Sequence, residues 1–246
     1  MTSTKGVALV TGSSQGLGRA IALRLADDGF DVSINDLPSK TKELDALAAD
    51  IMAKGRRSCV APGDISVESD VITIIDNTVH ELGALNIMVA KAGICLMRSI
   101  MDTATEDWNR IFMINGLGTF LCYKYAAKQM IKQGHGGRIV GASSIAGKQG
   151  YGDLAAYSAS KGAIRLFTQS AAREFGPYGI TVNAYAPGKV HCSLTFADLG
   201  KATGDEQAFY DAQICMSPKG QLTEPADIAS IVSYLVSSEA RLITGG

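Results

Sequence analysis

The 246-residue chain is predicted to fold as α/β, a single domain built on a doubly wound parallel sheet with helices on both faces. Short β-branched apolar runs alternate with longer stretches of helical periodicity from one end to the other. A glycine-rich turn follows the first apolar run directly. No repeat, low-complexity tract or linker-like stretch divides the chain, and 46% of its residues are hydrophobic, as an ordinary globular core requires.

Each element has its own signal. Residues 7–10, Val-Ala-Leu-Val, read as a buried strand, and 17–28 as the helix after the glycine turn, closed by Gly29. Residues 30–35 are a second strand and 40–54 a polar helix stopped by Gly55. A third strand at 58–61 precedes a helix over 67–82, in which Val71, Ile74, Ile75 and Val79 fall at helical spacing. A fourth strand spans 85–90. Beyond it the pattern predicts one long helix within 108–133, a strand over 138–143, a helix over 156–175, a strand over 180–184 and a terminal helix over 225–237. Residues 189–223 break the rhythm with glycine and polar side chains, and a substrate lid is expected there.

Charge narrows the function classes. Lysine plus arginine number 23 and aspartate plus glutamate 24, a net charge of −1, so nucleic acid and anionic membrane are excluded as expected partners. The first apolar run is too short for a secretion signal, and no stretch reaches the length of a membrane span. Five scattered cysteines, Cys59, Cys95, Cys122, Cys192 and Cys215, show neither metal-ligand nor disulfide spacing and read as reduced thiols. The expectation is a cytoplasmic protein without a metal.

The turn Thr11-Gly12-Ser13-Ser14-Gln15-Gly16-Leu17-Gly18 sits where the first strand passes into the first helix. Glycines there let backbone N–H groups approach a pyrophosphate at the positive helix end, which makes the fold Rossmann-like and the ligand a dinucleotide. Asp36, beside Leu37 at the end of the second strand, is placed to accept from the adenosine ribose hydroxyls and to repel a 2′-phosphate. NAD is therefore favoured over NADP. Asp64, followed by Ile65, could accept from the adenine amino group or cap a helix. Tyr157 and Lys161 are i and i+4 on one helix face, where an ammonium favours the phenolate and a tyrosine can pass a proton to or from an alcohol oxygen. Ser144, at the end of the strand upstream, could hold the same oxygen.

With these residues in view, the chain resembles the short-chain dehydrogenase/reductase family over essentially its full length. The matching pieces are Thr11-Gly12-x-x-x-Gly16-x-Gly18, Asp64, Ala92-Gly93, Asn115, Ser144, Tyr157-x-x-x-Lys161 and Pro187-Gly188. The resemblance implies a catalytic tetrad: Tyr157 as general acid/base, Ser144 orienting the carbonyl, Lys161 binding the nicotinamide ribose, and Asn115 anchoring a proton-relay water through a helix kink. It also implies cofactor contacts from Ala90, Ala92 and Gly93 after the fourth strand, and from Pro187, Gly188, Val190 and Cys192. Cys192 stands where relatives usually carry threonine and is a poorer hydrogen-bond partner.

Two further departures stand out. Lys91 replaces an asparagine that ties neighbouring strands in relatives, and a lysine buries a charge unless it finds a partner. Residues 243–246 end the sequence where relatives continue into a last strand, so an uncovered sheet edge is expected.

Ile94, Cys95, Leu96, Ile145, Gln149, Tyr151, Leu194 and Phe196 are the candidate pocket residues. Their largely apolar character suits a small ketone, diketone or secondary alcohol. The run from Ile180 to Gly188 resembles the acetoin/diacetyl reductase and butanediol dehydrogenase branch. Relatives assemble as tetramers through the helices that hold 115–130 and 158–175 here, so a homo-oligomer, tetramer or dimer, is expected. The alternative to an enzyme is a cofactor-binding sensor or scaffold with lost activity.

Overall fold

The computed structural model describes residues 4–191, 204–215, 217 and 219–246. Six strands form one parallel sheet: β1 (Val7–Thr11), β2 (Asp31–Asn35), β3 (Ser58–Val60), β4 (Ile87–Ala90), β5 (Gly137–Ala142) and β6 (Ile180–Tyr185), in the spatial order β3-β2-β1-β4-β5-β6. Ala8 lies opposite Val32 on one side and Ile87 on the other, so β1 is central. Because a parallel sheet is covered on both faces, its strands are continuously apolar rather than alternating, and every residue of β1 and β4 is buried.

One face packs against α1 (Gly16–Asp27), α2 (Thr41–Ala53) and α8 (Pro225–Val236), through Leu25, Leu44, Leu47 and Val232 on Val10 and Ile34. The other packs against α3 (Glu68–Leu82), α5 (Thr119–Gln133) and α6 (Ala155–Phe175), through Ile75, Leu121 and Ala126 on Leu9, Met88 and Val182. The chain runs outward from β1 in one direction and restarts at β4 in the other. This reversal leaves a crevice at the carboxyl ends of β1 and β4, where ligands bind in such sheets.

Two sequence expectations are corrected. The long helix over 108–133 is instead α4 (Thr105–Ile111), a π-helical segment (Phe112–Gly118) and α5. Its start moves back to Thr105, with Glu106 and Asp107 in the first turn, where the helix dipole favours acids. At the end of the π segment Gly118 packs closely on Ile65, where a Cβ would lie 2.7 Å from that side chain. The second correction concerns the expected open sheet edge. Gly245 N–H donates to the Val182 carbonyl at 2.8 Å, Ala184 N–H donates to the Gly246 carbonyl at 2.7 Å, and the Asn183 amide donates to the Ile243 carbonyl at 2.8 Å. Residues 243–246 therefore line the outer edge of β6 and satisfy its backbone.

The stretch at 189–223, where a lid is expected, contains α7 (Glu206–Cys215), and its two ends pair with each other. His191 N–H donates to Thr223 at 2.8 Å and Thr223 N–H to Lys189 at 3.2 Å. Cys192, Leu194 and Phe196 lie outside the described residues. Among the described residues no helix is long and apolar enough to cross a membrane.

Candidate active site

The crevice begins at the turn after β1. Gly12 has φ +64°, and a Cβ there would sit 2.7 Å from Ala92 Cα, so glycine is what lets the turns after β1 and β4 touch. A Cβ on Gly18 would fall only 2.1 Å from the Gly12 carbonyl, which brings the start of α1 close to the same turn. No side chain caps α1 at Gln15, and its first turn holds no acid. The N-terminal N–H groups and the helix dipole together make an anion-binding end. The Thr11 hydroxyl accepts from the N–H groups of Lys91 (3.0 Å) and Ala92 (3.1 Å), so β1 and β4 are tied without an asparagine at position 91. Lys91 is half-buried, and its Nζ donates to the Gly12 carbonyl at 3.3 Å.

Asp36 is held at the rim of this turn. Its carboxylate accepts from Ser14 N–H at 3.1 Å and from Leu37 N–H at 2.9 Å. Ser13 is tied to the Asn35 carbonyl through both its N–H (2.9 Å) and its hydroxyl (3.1 Å), so the glycine turn and the end of β2 move as one piece. Asp64 accepts from the Ser66 N–H and hydroxyl at 2.9 and 2.8 Å, an Asx turn that precedes α3, whose N-cap is Val67 rather than Asp64. Ile65 is a core residue, and Ala90 is the buried last residue of β4.

Across the crevice, α6 carries Tyr157 and Lys161. Lys161 is buried; its Nζ donates to the Ala142 carbonyl at 2.8 Å and lies 5.7 Å from the centre of the Tyr157 ring. Burial pushes this ammonium down to about 8, the neighbouring Lys91 charge adds to the effect, and Cys95 opposes it. The helix is docked at this level by Ser143, whose hydroxyl donates to the Lys161 carbonyl at 2.9 Å. Gly147 completes the dock, since a Cβ there would lie 2.7 Å from the Lys161 backbone. Ser144 opens the short turn Ile145–Gly147, its hydroxyl accepting from Ala146 N–H at 3.1 Å.

Asn115 acts as a clamp from the π segment. Its amide accepts from Ile94 N–H (2.8 Å) and donates to the Ile94 carbonyl (2.9 Å) and the Ser160 hydroxyl (3.1 Å). Ser160 in turn donates to the Tyr157 carbonyl at 2.7 Å. The loop after β4 is thus fastened to α6. Gly93 fits between them, where a Cβ would come within 2.9 Å of Asn115 Oδ1 and 3.4 Å of Lys161 Nζ.

These pieces enclose a cavity of about 110 Å³ that brings Gly16, Leu17, Gly93, Tyr157, Lys161 and Pro187 together, with Lys91, Ile94 and Cys95 in its wall. Ile145, Gln149 and Tyr151 stand on the exposed shoulder of the crevice, Gln149 donating to the Tyr151 hydroxyl. Gly188 is exposed and Val190 buried beside them. Tyr185 is not among the candidate site residues read from the sequence; it lies just past the strand expected over 180–184 and is the last residue of β6. It lines the same cavity, and its buried hydroxyl has no hydrogen-bond partner among the described residues. Such an orphan costs free energy unless a ligand group meets it. The glycine cradle, the uncapped helix end, the paired lysines and this hydroxyl all fit a polar, anionic dinucleotide. Cys59, Cys95, Cys122 and Cys215 carry free thiols, and the described residues contain no cluster suited to a metal.

Comparison with known proteins agrees with this geometry. Residues 6–201 match the model of the short chain dehydrogenase family. The chain is 48% identical over 245 residues to the short-chain dehydrogenase/reductase eriH of Hericium erinaceus, covering 99% of this chain and 95% of that protein. It is 35% identical to the L-2,3-butanediol dehydrogenase of Corynebacterium glutamicum, covering 97% and 94%. Among solved structures, NAD+-bound xylitol dehydrogenase superposes with a TM-score of 0.93 at 29% identity, covering all of this chain and 97% of that one. Levodione reductase follows at 0.92 and 28%, covering 98% and 94%. Family match, sequence identity and superposition coincide over the elements that build the crevice, and the chain belongs to the short-chain dehydrogenase/reductase family of oxidoreductases.

Proposed function

We propose that residues 1–246 act as one dinucleotide-binding and catalytic unit that moves a hydride between a nicotinamide cofactor and a small ketone, diketone or secondary alcohol. The observation that carries the reading is the convergence of Tyr157 and buried Lys161 with the glycine turn on one cavity. When bound, the cofactor supplies or takes up the hydride. The chain's own groups position the substrate carbonyl and handle the proton. Tyr157 donates its phenolic proton to the carbonyl oxygen during reduction and takes it back during oxidation, and the Lys161 charge favours the phenolate in both directions. Ser144, at the mouth of β5, holds the same oxygen. Asn115 fixes the loop and helix against each other so that these groups keep their spacing.

The Asp36 carboxylate at the adenosine end favours NAD, because a 2′-phosphate would meet its charge. The largely apolar wall at Ile94 and Cys95 suits a compact neutral substrate, and the similarity to diacetyl reductase and butanediol dehydrogenase supports that class. Exposed apolar residues on α5 and α6, Phe120 and Leu166, support assembly through those helices.

Oxidation of NADH and of NADPH against diacetyl, acetoin, cyclic ketones and an oxo-ester tests the reading. Turnover with NADH well above NADPH is the expected result. Faster turnover with NADPH would overturn the Asp36 argument, and cofactor binding without any turnover would point to a sensor or scaffold instead.

A further inference from the structure

Resting on the dinucleotide reading, we propose that Lys91 is a cofactor-binding residue whose ammonium meets the phosphate oxygens of the bound dinucleotide. Its backbone belongs to the tie between β1 and β4, but that tie is made by Thr11 through main-chain N–H groups, so the sheet does not require the lysine side chain. The side chain turns instead toward the glycine turn, with Nζ 3.3 Å from the Gly12 carbonyl. It shares the cavity with Gly16 and Leu17 at the uncapped start of α1, the end of a helix that attracts anions.

The cavity's described lining holds two lysines, Lys91 and Lys161, and no carboxylate. Burial is the main cause that lowers the Lys161 ammonium, and the Lys91 charge adds a smaller push in the same direction across this partly desolvated crevice. An incoming pyrophosphate counters that push. An ammonium at this place is a point donor well suited to phosphate oxygens, adding charge-assisted hydrogen bonds to those of the helix N–H groups.

Calorimetric titration of the wild type, Lys91→Met and Lys91→Arg with ADP-ribose and with adenosine tests this directly. Lys91→Met is expected to weaken ADP-ribose about tenfold and to flatten the salt dependence of its binding, while adenosine binds as before. Lys91→Arg is expected to restore most of the affinity. Unchanged ADP-ribose binding by Lys91→Met would overturn the proposal. So would an equal weakening of adenosine and ADP-ribose, which would assign the lysine to holding the turn through Gly12. Failure of the wild type to bind ADP-ribose would remove the dinucleotide reading itself, and this proposal with it. Should Lys91→Met unfold, Lys91→Asn carries the same comparison.

Discussion

At the amino end of the sheet Asp31 is buried between two guanidinium groups; at the carboxyl end Lys161 is buried beside a second lysine. The first site is satisfied from every side. Asp31 accepts from Arg56 at 2.8 Å, from Arg57 Nε at 2.9 Å and from Arg57 N–H at 3.0 Å, and the Arg57 guanidinium continues to the Leu82 carbonyl. Burial alone would push the Asp31 carboxyl up, but the hydrogen bonds from Arg57 and Arg56 outweigh it and hold the group below its usual range. The second site offers Lys161 a carbonyl, an aromatic ring and a like charge. Opposite charges that cancel hold a structure together. A buried ammonium beside a second lysine on a cavity wall is the kind of perturbed group in which active sites are rich. A cavity of about 560 Å³ lies by Asp31, larger than the one at Tyr157, so size does not single out the cavity that holds the tyrosine and the buried lysine.

The comparison can be broken most severely at Tyr157. Tyr157→Phe is expected to lower kcat by about 10²- to 10⁴-fold, the range of general acid/base catalysis, while the Kd for NADH stays nearly constant. Retained turnover would remove Tyr157 as the proton donor and with it the contrast between the two ends. Asp31→Asn probes the opposite end. It strips the compensation from Arg56, whose side chain is 6% exposed, and is expected to cost about 3–5 kcal/mol in urea unfolding with little change in kcat of the folded protein. A loss below about 1 kcal/mol would mean that the network contributes little and that the amino end is not the stabilising one.

The smallest effect sharpens the lysine pair. Lys161 is cationic below about 8 and neutral above it, so reductive turnover is expected to decline as pH rises through that value. The unfolded chain still holds this proton at the same pH, because the group's folded value lies below its ordinary 10.5; stability therefore rises with pH across that window while activity falls. Removing the neighbouring charge in Lys91→Met moves the falling limb to higher pH. A profile of kcat/KM in both proteins reads the shift, and coincident limbs would uncouple the two lysines.

Much of this was written in local pattern. Val7-Ala-Leu-Val, the glycine turn and Asp36 are close in the chain, and the turn requires glycines for backbone reasons that any reader of the sequence can apply. Tyr157 and Lys161 share a helix face by spacing alone. A helix kink at Asn115 was implied by the family resemblance, but the π-helical form and its bounds were not written in the local pattern. Tyr185 escaped because it lies just past the expected strand and because local pattern does not say whether a buried hydroxyl finds a partner. Lys91 was legible as a departure, but not what it would meet: the folded chain supplies Thr11 for the strand tie and Gly12 for the ammonium.

The alternation of strands and helices and the glycine turn were thus determined by the sequence alone, since periodicity and backbone freedom are local properties. Which charges end up cancelled and which are left facing a cavity was decided by the tertiary structure. Burial and electrostatic interaction depend on distances between segments that only packing brings together.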